Sequence, residues 1–115
     1  MRAQNKVSVF VANFPSKTHL EEYVQEYFTE EGDMFSDLMR DINSNFIDNQ
    51  FMEILFTEKS LTISNLIDFS YSENFINKIP NDVSSFNSVI LLYDYEQKNP
   101  ILSKRIKLVG VFNYR

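Results

Sequence analysis

Cysteine is absent from the 115 residues, so neither a disulfide framework nor a thiolate metal site can exist. Glycine occurs twice, as Gly32 and Gly110, which rules out the glycine-rich loops that cradle phosphate. Histidine occurs once, at His19, so a zinc triad lacks its second imidazole. No Cys-His pair and no serine elbow motif is present. The longest apolar run, Val89 to Tyr93, is far shorter than the about 20 residues of a membrane helix. Met1 to Lys6 is mostly polar and leads directly into an alternating segment, unlike the apolar centre of a signal peptide. The expectation is a cytoplasmic protein with no membrane partner and no bound cofactor.

Aromatic residues are plentiful, with eleven Phe and six Tyr, which argues against disorder. A chain of this length holds one domain and buries roughly 65% of its unfolded surface, enough for a core. The net charge of −5 disfavours contact with a phosphate backbone, so nucleic acid is not expected as a partner. The charge is also unevenly spread. Glu21, Glu22, Glu26, Glu30, Glu31, Asp33, Asp37 and Asp41 face only Arg40 within Glu21–Asp41, whereas Lys98, Lys104, Arg105, Lys107 and Arg115 outnumber Glu96 near the other end.

Hydrophobic periodicity predicts the elements. Lys6–Ala12 is apolar on both faces, as a central strand would be, and Asn13-Phe14-Pro15 ends it. Ser16 is placed to cap a helix whose inner face is Leu20, Tyr23, Val24, Tyr27 and Phe28, stopped at Glu31-Gly32. Asp33 is placed to cap a second helix with Met34, Phe35, Leu38, Met39 and Ile42 inside and Asp33, Asp37 and Asp41 sharing another face. Asn43–Gln50 reads as a polar turn region around Phe46 and Ile47, and Phe51–Phe56 as a strand. Short helices are expected from Ser60 or Thr62, with Ile63, Leu66 and Ile67 inside, and from Ser72, with Phe75, Ile76 and Ile79 inside, before Pro80. Ser88–Tyr95 and Lys104–Tyr114 read as strands joined through Lys98–Ser103 as an antiparallel pair, the latter with Ile106, Leu108, Gly110, Phe112 and Tyr114 on one face. The expected fold is α+β, a single domain over residues 1–115, with a four-stranded, largely antiparallel sheet packed with about four helices in the order β-α-α-β-α-α-β-β.

For each candidate site two readings stand side by side. His19 is either a general base or a surface histidine at the unfavourable end of a helix dipole. The acids are either a solvated outer face or a surface for a basic protein. Like charges at i, i+4 cost about 0.2–0.5 kcal/mol each in an isolated helix, and a merely solvated face would more often mix signs. A Mg²⁺ or Ca²⁺ site on Asp33, Asp37 and Asp41 lacks the spacing of an EF-hand loop. Tyr93, Tyr95, Phe112 and Tyr114 fit sheet packing better than base stacking on so acidic a chain.

Val7-Ser8-Val9-Phe10-Val11-Ala12-Asn13-Phe14-Pro15-Ser16 resembles the start of the bacterial immunity protein 22 family. Leu20-Glu21-Glu22-Tyr23, Glu30-Glu31-Gly32-Asp33, Phe51-Met52-Glu53-Ile54, Phe69-Ser70-Tyr71-Ser72, Ile90-Leu91-Leu92-Tyr93-Asp94-Tyr95 and Gly110-Val111-Phe112 also resemble it. The resemblance implies a non-enzymatic antidote of a polymorphic toxin system, encoded beside a toxin and neutralising it by binding. Nuclease toxins are basic, which suits an acidic partner. Charge alone points to Glu22, Glu26, Asp33, Asp37 and Asp41 as partner-binding residues, with Tyr23, Tyr27 and Phe28 needed mostly inside. The competing readings are a regulatory or scaffold protein for a host partner and a carboxylate-dependent hydrolase.

Overall fold

The computed structural model describes residues 5–44 and 47–115, and of residues 81 and 82 the backbone alone. Four strands, β1 (Lys6–Ala12), β4 (Met52–Phe56), β5 (Ser88–Tyr93) and β6 (Ile106–Asn113), form an antiparallel sheet in the order β4-β5-β1-β6. The remaining elements are α1 (Lys17–Val24), a small hairpin of β2 (Tyr27–Phe28) and β3 (Met34–Phe35), and α2 (Asp37–Asp41). As their two-sided apolar sequences predict, β1 and β5 are the central strands and are buried almost throughout.

Each face of the sheet carries its own core. On one side Phe10, Ala12, Ile90, Leu92 and Ile106 meet Leu20, Tyr23 and Val24 of α1 and Leu38 and Met39 of α2. On the other, Val7, Val9, Val11, Val89, Leu91 and Tyr93 are covered by Leu61, Leu66, Phe75, Ile79 and Val83.

That second cover overturns the expectation of about four helices: the fold is α+β with four antiparallel strands, but among the described residues only two α-helices form. The segments assigned to a third and fourth helix are 3₁₀ turns at Ile63–Leu66, Ser72–Asn74 and Ile76–Lys78, followed by another at Asn81–Ser85. Buried and partly buried positions recur at i and i+3, as in Ile63/Leu66, Ile76/Ile79 and Val83/Phe86, a spacing that three residues per turn satisfies as well as 3.6 does. Local polar side chains also compete for the backbone. The Asn65 carboxamide accepts from the Thr62 amide, and the Ser72 hydroxyl donates back to the Ile67 carbonyl instead of capping forward.

The first helix is also shorter than its apolar spacing suggests. Gln25 turns extended, Tyr27 and Phe28 become β2, and Met34 and Phe35 pair with them as β3 instead of opening α2. Continuing the helix would stack Glu22 on Glu26, and no basic side chain stands in its last turn to meet the dipole. The cap of α2 is therefore Ser36, whose hydroxyl accepts from the Met39 amide, and not Asp33.

The last two strands are not neighbours, contrary to the sequence reading, because β1 lies between them. Twelve residues, Asp94 to Arg105, cross over β1, far more than the two to five of a β-hairpin. The register of β6 against β1 slips between Val9 and Phe10, a bulge that reverses the alternation. Ile106 and Leu108 thus face the helices while Phe112 and Tyr114 face the 3₁₀ turns, and they do not share one face. Phe112 folds back over Gly110, where an added Cβ would stand 2.7 Å from the ring and would have to displace it. Of the polar Asn43–Gln50 region, Ile47 is buried and Asn49–Phe51 is a 3₁₀ turn, while Phe46 lies outside the described residues.

Candidate protein-interaction surface

The acidic side of the molecule is built by α1, the hairpin and α2. Asn87 holds its entrance: the carboxamide accepts from the Phe14 amide and donates to the Phe14 carbonyl, so the chain leaves β1 in a fixed direction. Ser16 then caps α1, accepting from the His19 amide at 3.2 Å and sharing a 2.7 Å hydrogen bond with His19 Nδ1. His19 is thus engaged by its own helix cap.

The five acids singled out by charge do not end up alike. Glu22 and Asp33 are exposed, and Glu26 and Asp37 half-exposed. Glu22 and Asp37 line one shallow cleft of about 300 Å³ with His19, Tyr23 and Arg105. Asp33 stands at the hairpin turn and Glu26 at its entry. Asp41 is inside, 5% exposed. Its carboxylate accepts from the Tyr23 hydroxyl at 2.8 Å and from Arg105 Nε at 3.2 Å, while Arg40 Nε lies 3.7 Å away. The Arg105 guanidinium also lies 4.9 Å from the centre of the Tyr23 ring. Burial, then the hydrogen bond to Asp41, raises the Tyr23 phenol well above its ordinary pKa. Asp41 therefore ties α1, α2 and the approach to β6 together, with no carboxylate oxygen turned to the outer face. Among the described residues no group of three His, Cys, Asp or Glu side chains converges as a metal site.

Charge pairing divides the acids further. Arg40 also reaches Asp37 at 3.4 Å, so Asp37 and Asp41 are both compensated. Among the described residues Glu21, Glu22, Glu26, Glu30, Glu31 and Asp33 make no ion pair. These six acids lie close together in the sequence, on α1 and on the hairpin.

The hairpin itself turns through Glu30, Glu31 and Gly32. The Gly32 amide donates to the Thr29 carbonyl at 2.9 Å, the Thr29 amide to the Asp33 carbonyl at 2.8 Å, and Gly32 takes φ +87°. This is the three-residue hairpin loop closed by a left-handed glycine. Phe35 packs against the helix-side core with Tyr27 edge-on to it at 6.4 Å. Phe28 is 73% exposed, Tyr27 46% and Met34 43%, which corrects their assignment to an inner helix face.

The sequence profile of the family described as Immunity protein 22 matches residues 7–115. The chain belongs to the immunity protein 22 family. No curated protein and no solved structure matches it. Its function is accordingly of the antitoxin kind, with a cognate toxin protein as partner. Among the described residues of this immunity protein no helix is long and apolar enough to cross a membrane. A second cleft, of about 250 Å³ on the far side of the sheet, is lined by Glu53, Tyr71, Tyr93, Asp94, Tyr114 and Arg115 among others. Its carboxylates are already used internally: Glu53 accepts from the Ser70 amide and hydroxyl and from Tyr93, and Asp94 from the Asn5 amide and Tyr114. Charge counting missed the exposed Tyr27, Phe28 and Met34, and gave Glu30 and Glu31 less weight than their position at the hairpin tip warrants. The available signal was an aromatic pair and an apolar pair flanking a short glycine-containing turn.

Proposed function

We propose that this protein is the cytoplasmic antidote of a bacterial polymorphic toxin system and neutralises its toxin by direct contact, without catalysis of its own. The contact surface is the acidic side formed by α1 and the hairpin, with Glu22, Glu26 and Asp33 central, Asp37 at its margin and Asp41 supporting it from within. The observation that carries this is the set of six carboxylates from Glu21 to Asp33 that make no ion pair among the described residues. Like charges held together without counter-charges are unfavourable for the isolated chain and favourable for meeting a basic surface. A nuclease toxin has such a surface, because it must hold a phosphate backbone. Electrostatic steering accelerates association, which suits an antidote that must arrive before damage is done.

Association kinetics with the toxin encoded beside it test the proposal. The rate should fall steeply between low and high salt, as the Debye length shrinks from about 10 Å at 0.1 M to about 3 Å at 1 M. The triple change Glu22→Lys, Glu26→Lys, Asp33→Lys should slow association at least about tenfold at low salt and leave the unfolding midpoint little changed, since Glu22 and Asp33 are exposed and Glu26 is half-exposed. Salt-independent association, unaltered by the triple change, would show the acidic face to be solvated surface only.

A further inference from the structure

The hairpin has two faces. One directs Phe35 into the helix-side core with Tyr27 against it. The other carries the cross-strand pair Phe28 and Met34, which point away from that core into solvent. Two-residue strands have little stability of their own, so the hairpin is held chiefly by Phe35 and by its turn, and the outward pair less so. Of the other large apolar side chains exposed among the described residues, Ile67 and Tyr71 lie in one link between 3₁₀ turns and Leu102 in the crossover, whereas Tyr27, Phe28 and Met34 share one hairpin. An apolar cluster on an otherwise polar projection marks an interaction site, and aromatic and methionine side chains are enriched at the centres of protein interfaces.

The surroundings specify the occupant. Glu26, Glu30, Glu31 and Asp33 border the cluster, and no Lys or Arg occurs between Glu21 and Met39. The complement of an apolar centre with a carboxylate rim is an apolar recess edged by Lys and Arg. A second copy of this chain is a poor complement, because it would bring two such rims together. We propose that the outward face of the hairpin, Phe28 with Met34, is the anchor that enters a cation-rimmed apolar recess on the cognate toxin. The proposal rests on the toxin-binding reading and adds to it the residues that set dissociation, where the carboxylates set association.

The test uses the full chain and the purified toxin encoded beside it. Phe28→Ser with Met34→Ser should keep the unfolding midpoint and weaken affinity at least about 100-fold, mainly through faster dissociation. Phe28→Lys, at a position that is 73% exposed, should weaken it comparably by meeting the cationic rim, and it provides the same reading should the double variant fold poorly. Ile67→Ser, exposed elsewhere, should bind as the unaltered protein does. Tight binding by both hairpin variants would overturn the anchor and leave the antidote reading standing. An unaltered protein that neither bound the toxin nor protected cells from it would overturn both. A dimer in sedimentation, abolished by Phe28→Ser, would reassign the face to self-association and overturn the anchor.

Discussion

At the scale of single residues, Asp41 shows how charge counting and burial diverge. In the sequence it is one more acid in an acidic run; in the fold it accepts hydrogen bonds from Tyr23 and Arg105 in a nearly water-free position. Removing it leaves a buried phenol hydroxyl without an acceptor and an arginine without its carboxylate. Asp41→Ala should therefore cost about 2 kcal/mol, the range for stranding a buried hydrogen-bond partner. Arg105→Ala should cost less, roughly 1 kcal/mol, because its side chain is half-exposed and Arg40 remains beside Asp41. Denaturant midpoints of the two variants check the order, and equal losses would mean that the network does not centre on Asp41. This role was not legible in the sequence, because a carboxylate on the buried side of a short helix has the same letter as one outside.

At the scale of elements, the strands were legible and the cover on one face was not. β1 and β5 announce themselves because apolar residues on both faces have no other reason to be continuous. The 3₁₀ segments failed as helix predictions because i/i+3 pairs fit two helical forms, and only local hydrogen bonds, one accepted by Asn65 and one donated by Ser72, decide between them. The hairpin was hidden differently: Leu20, Tyr23, Val24, Tyr27 and Phe28 keep helical spacing across a point where the chain becomes extended. Of the acidic surface, Glu22, Glu26 and Asp33 were legible from charge, and the exposed apolar side chains beside them, Phe28 and Met34, were not. The hairpin depends on Gly32. At φ +87° any side chain is strained, although a Cβ would meet nothing within 4 Å. Gly32→Ala should thus cost about 1–2 kcal/mol of purely conformational energy. The effect should be local, with faster hydrogen exchange at the Thr29 amide and unaltered exchange at Ile90. A global loss of protection would show that the hairpin is integral to the core.

At the scale of the whole molecule, both faces of the sheet bury phenols. Tyr23 on the helix side and Tyr93 on the other are raised well above their ordinary pKa, first by burial and then by hydrogen bonds to Asp41 and Glu53. Burial likewise raises Tyr95, and together with Asp94 it pushes Tyr114 up to about 12. The folded chain holds these protons more tightly than the unfolded chain, whose phenols titrate near pH 10. Their contribution is complete below about pH 10 and is lost as the pH rises above it, because the unfolded state then releases protons first. The unfolding midpoint should fall steeply between about pH 10 and about pH 12, and less steeply for Tyr23→Phe. A midpoint level across that range would contradict the burial of the phenols.

The strand order also sets a timetable. Every pairing in the main sheet involves β5 or β6, and Val7 in β1 meets its partners Tyr93 and Phe112 only 86 and 105 residues later. At the usual ~5–20 residues per second, the ribosome has been extending the chain for several seconds before the first strand can pair at all. No part of the sheet can assemble on a nascent chain that stops short of Ser88. The sheet therefore arrives abruptly once Ser88 and the residues after it have been made, and a message cut off before them yields no partial antidote.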